Sequence, residues 1–254
     1  MRFVLSKVEL ELCWERLGLG ELPTILSFPS HGATHDERRA LHVEAWRALE
    51  RRDLAGGSEL SPSVAGRLQL LAAPEREVDA RLRLDGGPRV RALAATRRGH
   101  GLLAVLTSDR ITVTDVAHHC LADAVVALLP PHPAPRARSI SLLATELDAA
   151  VERSNDSPAR LERLLHEAGL GHQDARQVRE VLGDVQRTGQ FGASSRTGRT
   201  GRRRGPYAIN FYDTARGRWQ FTRKPSPDGR QWATLAPADH PRLVSAVAEL
   251  LAAT

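Results

Sequence analysis

The residues best able to do chemistry are few, and their spacing argues against using them for it. His31 and His35 stand four apart, the spacing that lets two imidazoles on one helical face hold zinc. A zinc-peptidase helix needs glutamate directly after the first histidine, and Gly32 stands there. His31 also precedes the helix start at Thr34-His35-Asp36-Glu37, so the two rings do not share a face. His118, His119 and Cys120 form a second cluster. Adjacent side chains point to different sides, and no fourth metal ligand is evident. A helix start lowers a thiol pKa, which makes Cys120 a candidate nucleophile, but packing at that start explains it more simply. Cys13 lies beside Trp14 on an apolar stripe and is expected in the core.

Glu75 and Glu77 flank Arg76 at the start of a strand. Paired carboxylates do acid–base work only inside a cleft, and on a wet strand face they are salt partners. There is no Gly-x-Ser-x-Gly elbow, and Leu17-Gly18-Leu19-Gly20 follows a helix rather than a strand, which is the wrong setting for a dinucleotide loop. The expectation is therefore a protein with no catalytic centre, no metal and no cofactor.

One dense charge cluster remains: Arg196, Arg199, Arg202, Arg203 and Arg204, within a Gly/Ser/Thr spacer. It is suited to clamping phosphates, and a nucleic-acid-associated protein is the alternative reading of the chain. No aromatic residue lies inside the cluster to stack on bases. Net charge is +6. Almost all of it is arginine, since Lys7 and Lys224 are the only lysines. Abundant Arg, Ala, Leu and Gly are what GC-rich codons favour, so the charge says little about nucleic acid. The two cysteines cannot build a disulfide framework. No apolar run is long enough to span a bilayer, and Glu9 and Glu11 interrupt the place where a signal peptide needs one. A cytoplasmic protein, with no membrane insertion, is expected.

The elements that position these residues follow from periodicity. Ser6-Lys7-Val8-Glu9 has capping-box spacing, and Leu10, Cys13, Trp14 and Leu17 follow at helical intervals. Residues 23–29, with proline at both ends, read as an edge strand. Helices are expected from Thr34 to the Gly56-Gly57 pair and from Ser61-Pro62 to Pro74. The period then changes to two: Val78, Ala80, Leu82 and Leu84 alternate with charged residues. Strands over 89–97, 102–106 and 110–114 complete an antiparallel meander with short links, and a helix is expected over 118–129. Residues 130–138 (PPHPAPRAR) read as a linker. Helices over 139–153, 157–168 and 173–187, a loop-rich stretch over 188–205, strands over 207–212, 218–223 and 231–235, and a helix over 239–253 finish the chain.

The order thus repeats: helices, meander, helix, twice. Residues 112–129 align with 234–251 without a gap, pairing Thr112 with Thr234, His118 with His240, Leu121 with Leu243, Val125 with Val247 and Leu129 with Leu251. The expected fold class is α+β: a central antiparallel sheet flanked by two helical bundles, with a quasi-two-fold internal repeat. The chain would be a single domain of two pseudo-repeats, about 1–130 and 139–254, joined by the 130–138 linker.

Several short motifs, in order along nearly the whole chain, resemble the EspG family, secretion-associated proteins of the type VII (ESX) systems of actinobacteria. They are Trp14-Glu15-Arg16-Leu17-Gly18-Leu19-Gly20-Glu21-Leu22-Pro23, Glu37-Arg38-Arg39-Ala40-Leu41, Pro74-Glu75-Arg76-Glu77-Val78-Asp79, Tyr212-Asp213-Thr214 with Gly217-Arg218, Asp228-Gly229, and Pro237-Ala238-Asp239. The resemblance implies a cytosolic, non-enzymatic chaperone. Such a protein binds the apolar tip of a PPE protein in a PE–PPE heterodimer, or a WXG-like helical client, as monomer or dimer. It also implies a binding surface on the sheet, the loop after the second strand and the C-terminal helical bundle. Here that surface would be the turn Asp85, Gly86, Gly87, Pro88, with Gln173, Arg176 and Arg179 on the third bundle helix.

Overall fold

The protein is described from a computed structural model covering residues 1–196 and 201–254. Two compact units account for it: Met1–Arg81, Pro88–Val125 and Ser194–Arg203 form unit 1, and Leu82–Gly87, Val126–Ala193 and Arg204–Thr254 form unit 2.

Unit 1 begins with β1 (Arg2–Ser6), α1 (Lys7–Arg16), α2 (His35–Glu50), the small hairpin β2 (Ala55–Gly56) and β3 (Glu59–Leu60), and α3 (Pro62–Ala72). The strands β4 (Arg76–Arg83), β5 (Val90–Arg97), β6 (His100–Leu106) and β7 (Arg110–Val116) and the short α4 (Leu121–Val126) follow; the last two residues of β4 and the last of α4 fall in unit 2. Strand order is β1-β7-β6-β5-β4. The capping box forms as expected: Glu9 N–H donates to Ser6 Oγ at 3.2 Å and Ser6 N–H to Glu9 Oε2 at 2.7 Å. Leu10, Cys13 and Trp14 are buried with Phe3, Leu49, Leu68, Leu93 and Val113.

Two readings are corrected here. Residues 23–29 form turn and coil, and the edge strand is β1, which pairs antiparallel with β7 with Phe3 opposite Val113. The charged face of β4 is not wet at its start: Glu77 and Asp79 are buried. Edge strand β1 is itself guarded. Arg52 Nη1 donates to Val4 O at 2.8 Å while Nη2 pairs with Glu9, so an outward carbonyl of the edge is taken.

Unit 2 contains β8 (Ile140–Leu143), α5 (Ala144–Ser154), α6 (Pro158–Glu167), α7 (His172–Gly183) and β9 (Arg187–Arg196). After these come β10 (Arg202–Arg204), β11 (Ile209–Thr214), β12 (Gly217–Pro225), β13 (Gln231–Pro237) and α8 (His240–Ala252). The last three residues of β9 and the first two of β10 fall in unit 1. Strand order is β9-β11-β12-β13-β8. Ser157 and Asp239 cap α6 and α8, each followed by proline in the first turn. Leu147, Leu161, Leu165, Val178, Trp219 and Leu235 share a core.

The loop-rich stretch expected over 188–205 is largely strand: β9 buries Phe191 and Ala193. The stretch expected to link two halves is bonded to the β11–β12 hairpin, with Arg218 N–H donating to Pro133 O at 2.7 Å and a His132 Nε2 to Thr214 O contact of 2.9 Å.

Taken one at a time, the units show the same succession. A first strand leads into helices, a meander follows, and the last meander strand pairs back onto the first: β1 with β7, and β8 with β13. Thr112 lies opposite Val4, and Thr234 opposite Ser141. The result is an α+β chain built on antiparallel sheet.

Candidate functional site

The turn Asp85-Gly86-Gly87-Pro88 joins β4 to β5 and is exposed. Asp85 has φ 44° and Gly86 φ 67°. Two left-handed residues in succession make the tight reversal a twisted hairpin needs, and Gly87 N–H closes it on Leu84 O at 3.0 Å. Within unit 2, Arg187 at the start of β9 reaches Asp85 through Nε and lies 3.7 Å from Asp213 Oδ2 through Nη1. Asp213 is fully buried and is held by Arg218: Nε to Oδ1 is 2.6 Å and Nη2 to Oδ2 is 2.9 Å. Arg218 Nη2 also donates to Pro130 O at 2.8 Å, and its guanidinium lies over the Phe211 ring at 5.4 Å. The exposed turn is thus anchored through Arg187 to the buried Asp213–Arg218 pair.

Gln173, Arg176 and Arg179 sit on α7, where the 3.6-residue period puts them along one side. They line a groove of about 790 Å³ walled by α7, residues 135–137 and the β11–β12 turn, and Trp219 contributes to it. Its walls are cross-braced. Arg176 Nε bonds Glu180 Oε1 at 2.9 Å, Arg216 Nη1 bonds Glu180 Oε2 at 2.7 Å, Arg179 Nε meets Glu162 at 2.8 Å, and Ala215 N–H donates to Asp184 at 2.8 Å. The hydrogen bond from Arg176, followed by the positive charge of Arg216, holds the Glu180 carboxyl below its ordinary pKa. Trp219 is 3% exposed, and its indole N–H has no acceptor among the described residues. Leu182 and Val185, at the end of α7 and just beyond, are large apolar side chains left exposed. The groove thus combines a buried indole with a rim of paired charges, while Leu182 and Val185 lie outside its lining.

The structure therefore gathers Gln173, Arg176 and Arg179 into one groove. It places Asp85, Gly86 and Gly87 in the same unit without a described contact to any of the three, while Pro88 falls in unit 1. Trp219, Arg216 and the Asp213–Arg218 pair escaped the sequence reading as site residues. The pair had a sequence signal in the Tyr212-Asp213-Thr214 and Gly217-Arg218 motif, an acid and an arginine five apart around a turn with glycine, which carried the resemblance but no site role.

The candidate chemical groups do not converge. His31 pairs with Glu11 at 3.3 Å, and His118 and His119 make an edge-to-face contact at 5.2 Å. Among the described residues no group of His, Cys, Asp and Glu could hold a metal ion. Burial pushes the Cys13 thiol up to about 12, and Cys120 is half-buried and free. In the arginine cluster, Arg202 is spent on buried Glu77, Arg196, Arg203 and Arg204 are exposed, and Arg199 lies outside the described residues. No described helix is long and apolar enough to cross a membrane.

An α+β protein built on antiparallel sheet, with helices packed against it, is the class these features define. The EspG family model matches residues 6–249, and the chain belongs to the EspG family. Among solved structures it is similar to the Mycobacterium tuberculosis type VII secretion system chaperone EspG5, determined in complex with a PE25–PPE41 dimer. The TM-score is 0.80 at 16% identity, covering 99% of this chain and 96% of that one. No curated protein matches.

Proposed function

We propose that this protein is a cytosolic chaperone of a type VII secretion system, without catalytic activity. It covers the apolar tip of a helical PE–PPE-like client and keeps it soluble for export. The observation that carries the reading is the fold likeness along almost the whole chain to a chaperone solved with a PE–PPE dimer. Unit 2 supports it: its groove carries Val181, Ala137 and Trp219 with a rim of braced arginines, and Leu182 and Val185 are exposed at and just beyond the end of α7. An exposed apolar helical tip is an aggregation hazard, and covering it needs a patch of this kind. Gln173, Arg176 and Arg179, with the Asp85–Pro88 turn, are the proposed contact residues. The nucleic-acid alternative is weakened because Arg202 already neutralises Glu77 inside the fold.

The test is co-expression with PE–PPE pairs from the native genome, followed by affinity purification. A soluble stoichiometric complex is expected. The triple variant Gln173→Ala/Arg176→Glu/Arg179→Glu should weaken it about tenfold or more. Its thermal midpoint should fall modestly, because the reversals lose the braces to Glu180 and Glu162 and set like charges beside them, and circular dichroism should show the variant still folded at the assay temperature. Failure to recover any helical secreted client would overturn the proposal.

A further inference from the structure

Unit 1 has a groove of its own, of about 540 Å³, lined by α3, the β5–β6 hairpin and the end of β7. Its position in the unit matches that of the groove beside α7 in unit 2. In both, the helix before a meander faces the first hairpin of three consecutive strands. The hairpin ends correspond, with Arg97 opposite His100 in one and Thr214 opposite Gly217 in the other. One residue further on, Gly101 lies opposite Val116, while Arg218 O accepts from Ala238 N–H at 2.9 Å. Gly101 therefore stands where unit 2 has Arg218.

The two grooves differ in what fills them. In unit 2 an extended proline-rich stretch of the chain runs along the hairpin. Arg218 fastens it, from the backbone N–H to Pro133 O and from Nη2 to Pro130 O, and Pro135 and Ala137 form one wall of the groove. In unit 1 the lining comes entirely from residues 62–70, 97–102 and 115–118, with no proline-rich stretch equivalent to 130–138 among them. A Cβ at Gly101 would come within 2.6 Å of Val116 O and 2.9 Å of His118 Cα, so that position carries no side chain to fill the space.

The lining has a definite chemical character. Leu70 and Leu102 are buried apolar residues of the lining. Gly66 on α3 and Gly99 at the turn open onto free space. The lining holds three arginines, Arg67, Arg97 and Arg98, and one carboxylate, Asp115. Arg67 spends its charge on that carboxylate, with Nε and Nη2 at 2.7 and 2.6 Å, whereas the Arg97 and Arg98 side chains have no carboxylate partner among the described residues.

We infer that the unit 1 groove is a docking site for an extended, acidic, proline-containing peptide segment of a partner protein. The segment lies along the Arg97–His100 hairpin end as residues 130–138 lie along the equivalent hairpin of unit 2. Proline keeps such a segment extended at low entropic cost, and the unpaired arginines select carboxylates. The site is independent of the client surface proposed on unit 2.

The probe is a fluorescein-labelled peptide with the sequence of residues 130–138 in which both arginines are replaced by glutamate, titrated with the full chain and read by anisotropy. Saturable binding below about 1 mM is expected. The Arg97→Glu/Arg98→Glu variant should bind at least about tenfold more weakly. Gly66→Leu, which fills the groove without touching the arginines, should also weaken binding. The unmodified arginine-containing peptide should bind at least about tenfold more weakly than the glutamate form. An unchanged thermal midpoint in both variants shows that they fold. Absence of binding, equal binding of the two peptides, or full binding by the folded charge-reversal variant would each overturn the inference.

Discussion

Arg218 clasps Asp213 with two hydrogen bonds across the β11–β12 hairpin, and at most 1% of either side chain is exposed. The two residues flank a reversal whose last position is Gly217. Their bond fixes the hairpin end on which the 130–138 stretch and the groove beside α7 both rest. A buried ion pair is not by itself a source of stability, but removing one member strands the other in a dry site. Arg218→Met should therefore cost about 3–5 kcal/mol, measured by urea unfolding at neutral pH. The double variant Arg218→Met/Asp213→Leu removes the stranded charge as well and should recover part of the loss. A single variant as stable as the parent would refute the account.

Gly217 should tolerate no side chain. Its φ is 136°, and a Cβ there would lie 2.7 Å from Pro133 O and 2.7 Å from Pro135 N, both backbone atoms that cannot swing aside. Gly217→Ala should lower stability by about 1–3 kcal/mol from overpacking and strain. Gly229→Ala is the comparison for backbone strain alone, because nothing lies within 4 Å of a Cβ there. Thermal melts of the two variants should differ, with Gly217→Ala the lower.

Acid should loosen the hold on Asp115. The paired hydrogen bonds from Arg67, aided by the N-terminal ammonium, bring its pKa down to about 2. A carboxyl depressed in the folded state stabilises the fold fully above its unfolded value, near pH 4, and loses that effect as pH falls through the folded value. The stability gap between the parent and Asp115→Asn should thus be open at pH 5 and closed by about pH 2. A gap that stays constant across that window would contradict the pairing.

The two cysteines should react differently. Cys13 has no exposed surface and its thiol is pushed up to about 12 by burial, whereas Cys120 is only half-buried. At pH 8 a thiol reagent should modify one site per native molecule, identified by peptide mapping as Cys120, and two sites after unfolding. Rapid native labelling of Cys13 would mean that the α1 core is open.

The sequence was most legible where one face of an element is buried and its end is capped. Ser6, Thr34, Ser157 and Asp239 mark helix starts that the structure keeps, because each cap acts within a few residues. Strand β9 was hidden because its buried residues besides Phe191 are small: Gly192, Ala193 and Ser194 are buried yet read as loop composition. Strands β1 and β8 are short, and they exist because β7 and β13 offer partners about 90 residues or more away in sequence. The helix expected over 118–129 shrinks to Leu121–Val126. Along the candidate site, periodicity placed Gln173, Arg176 and Arg179 on a helix, and only the family resemblance proposed them as contacts. Trp219 and the Asp213–Arg218 clasp depend on tertiary burial that no local pattern encodes.

The guard on β1 carries a consequence of its own. With Arg52 seated on Val4 O and Glu9 on Ser6 N, that border cannot act as a template for another strand. An open sheet edge is where chains zip together into aggregates, and here two of its backbone groups are already spent inside the fold.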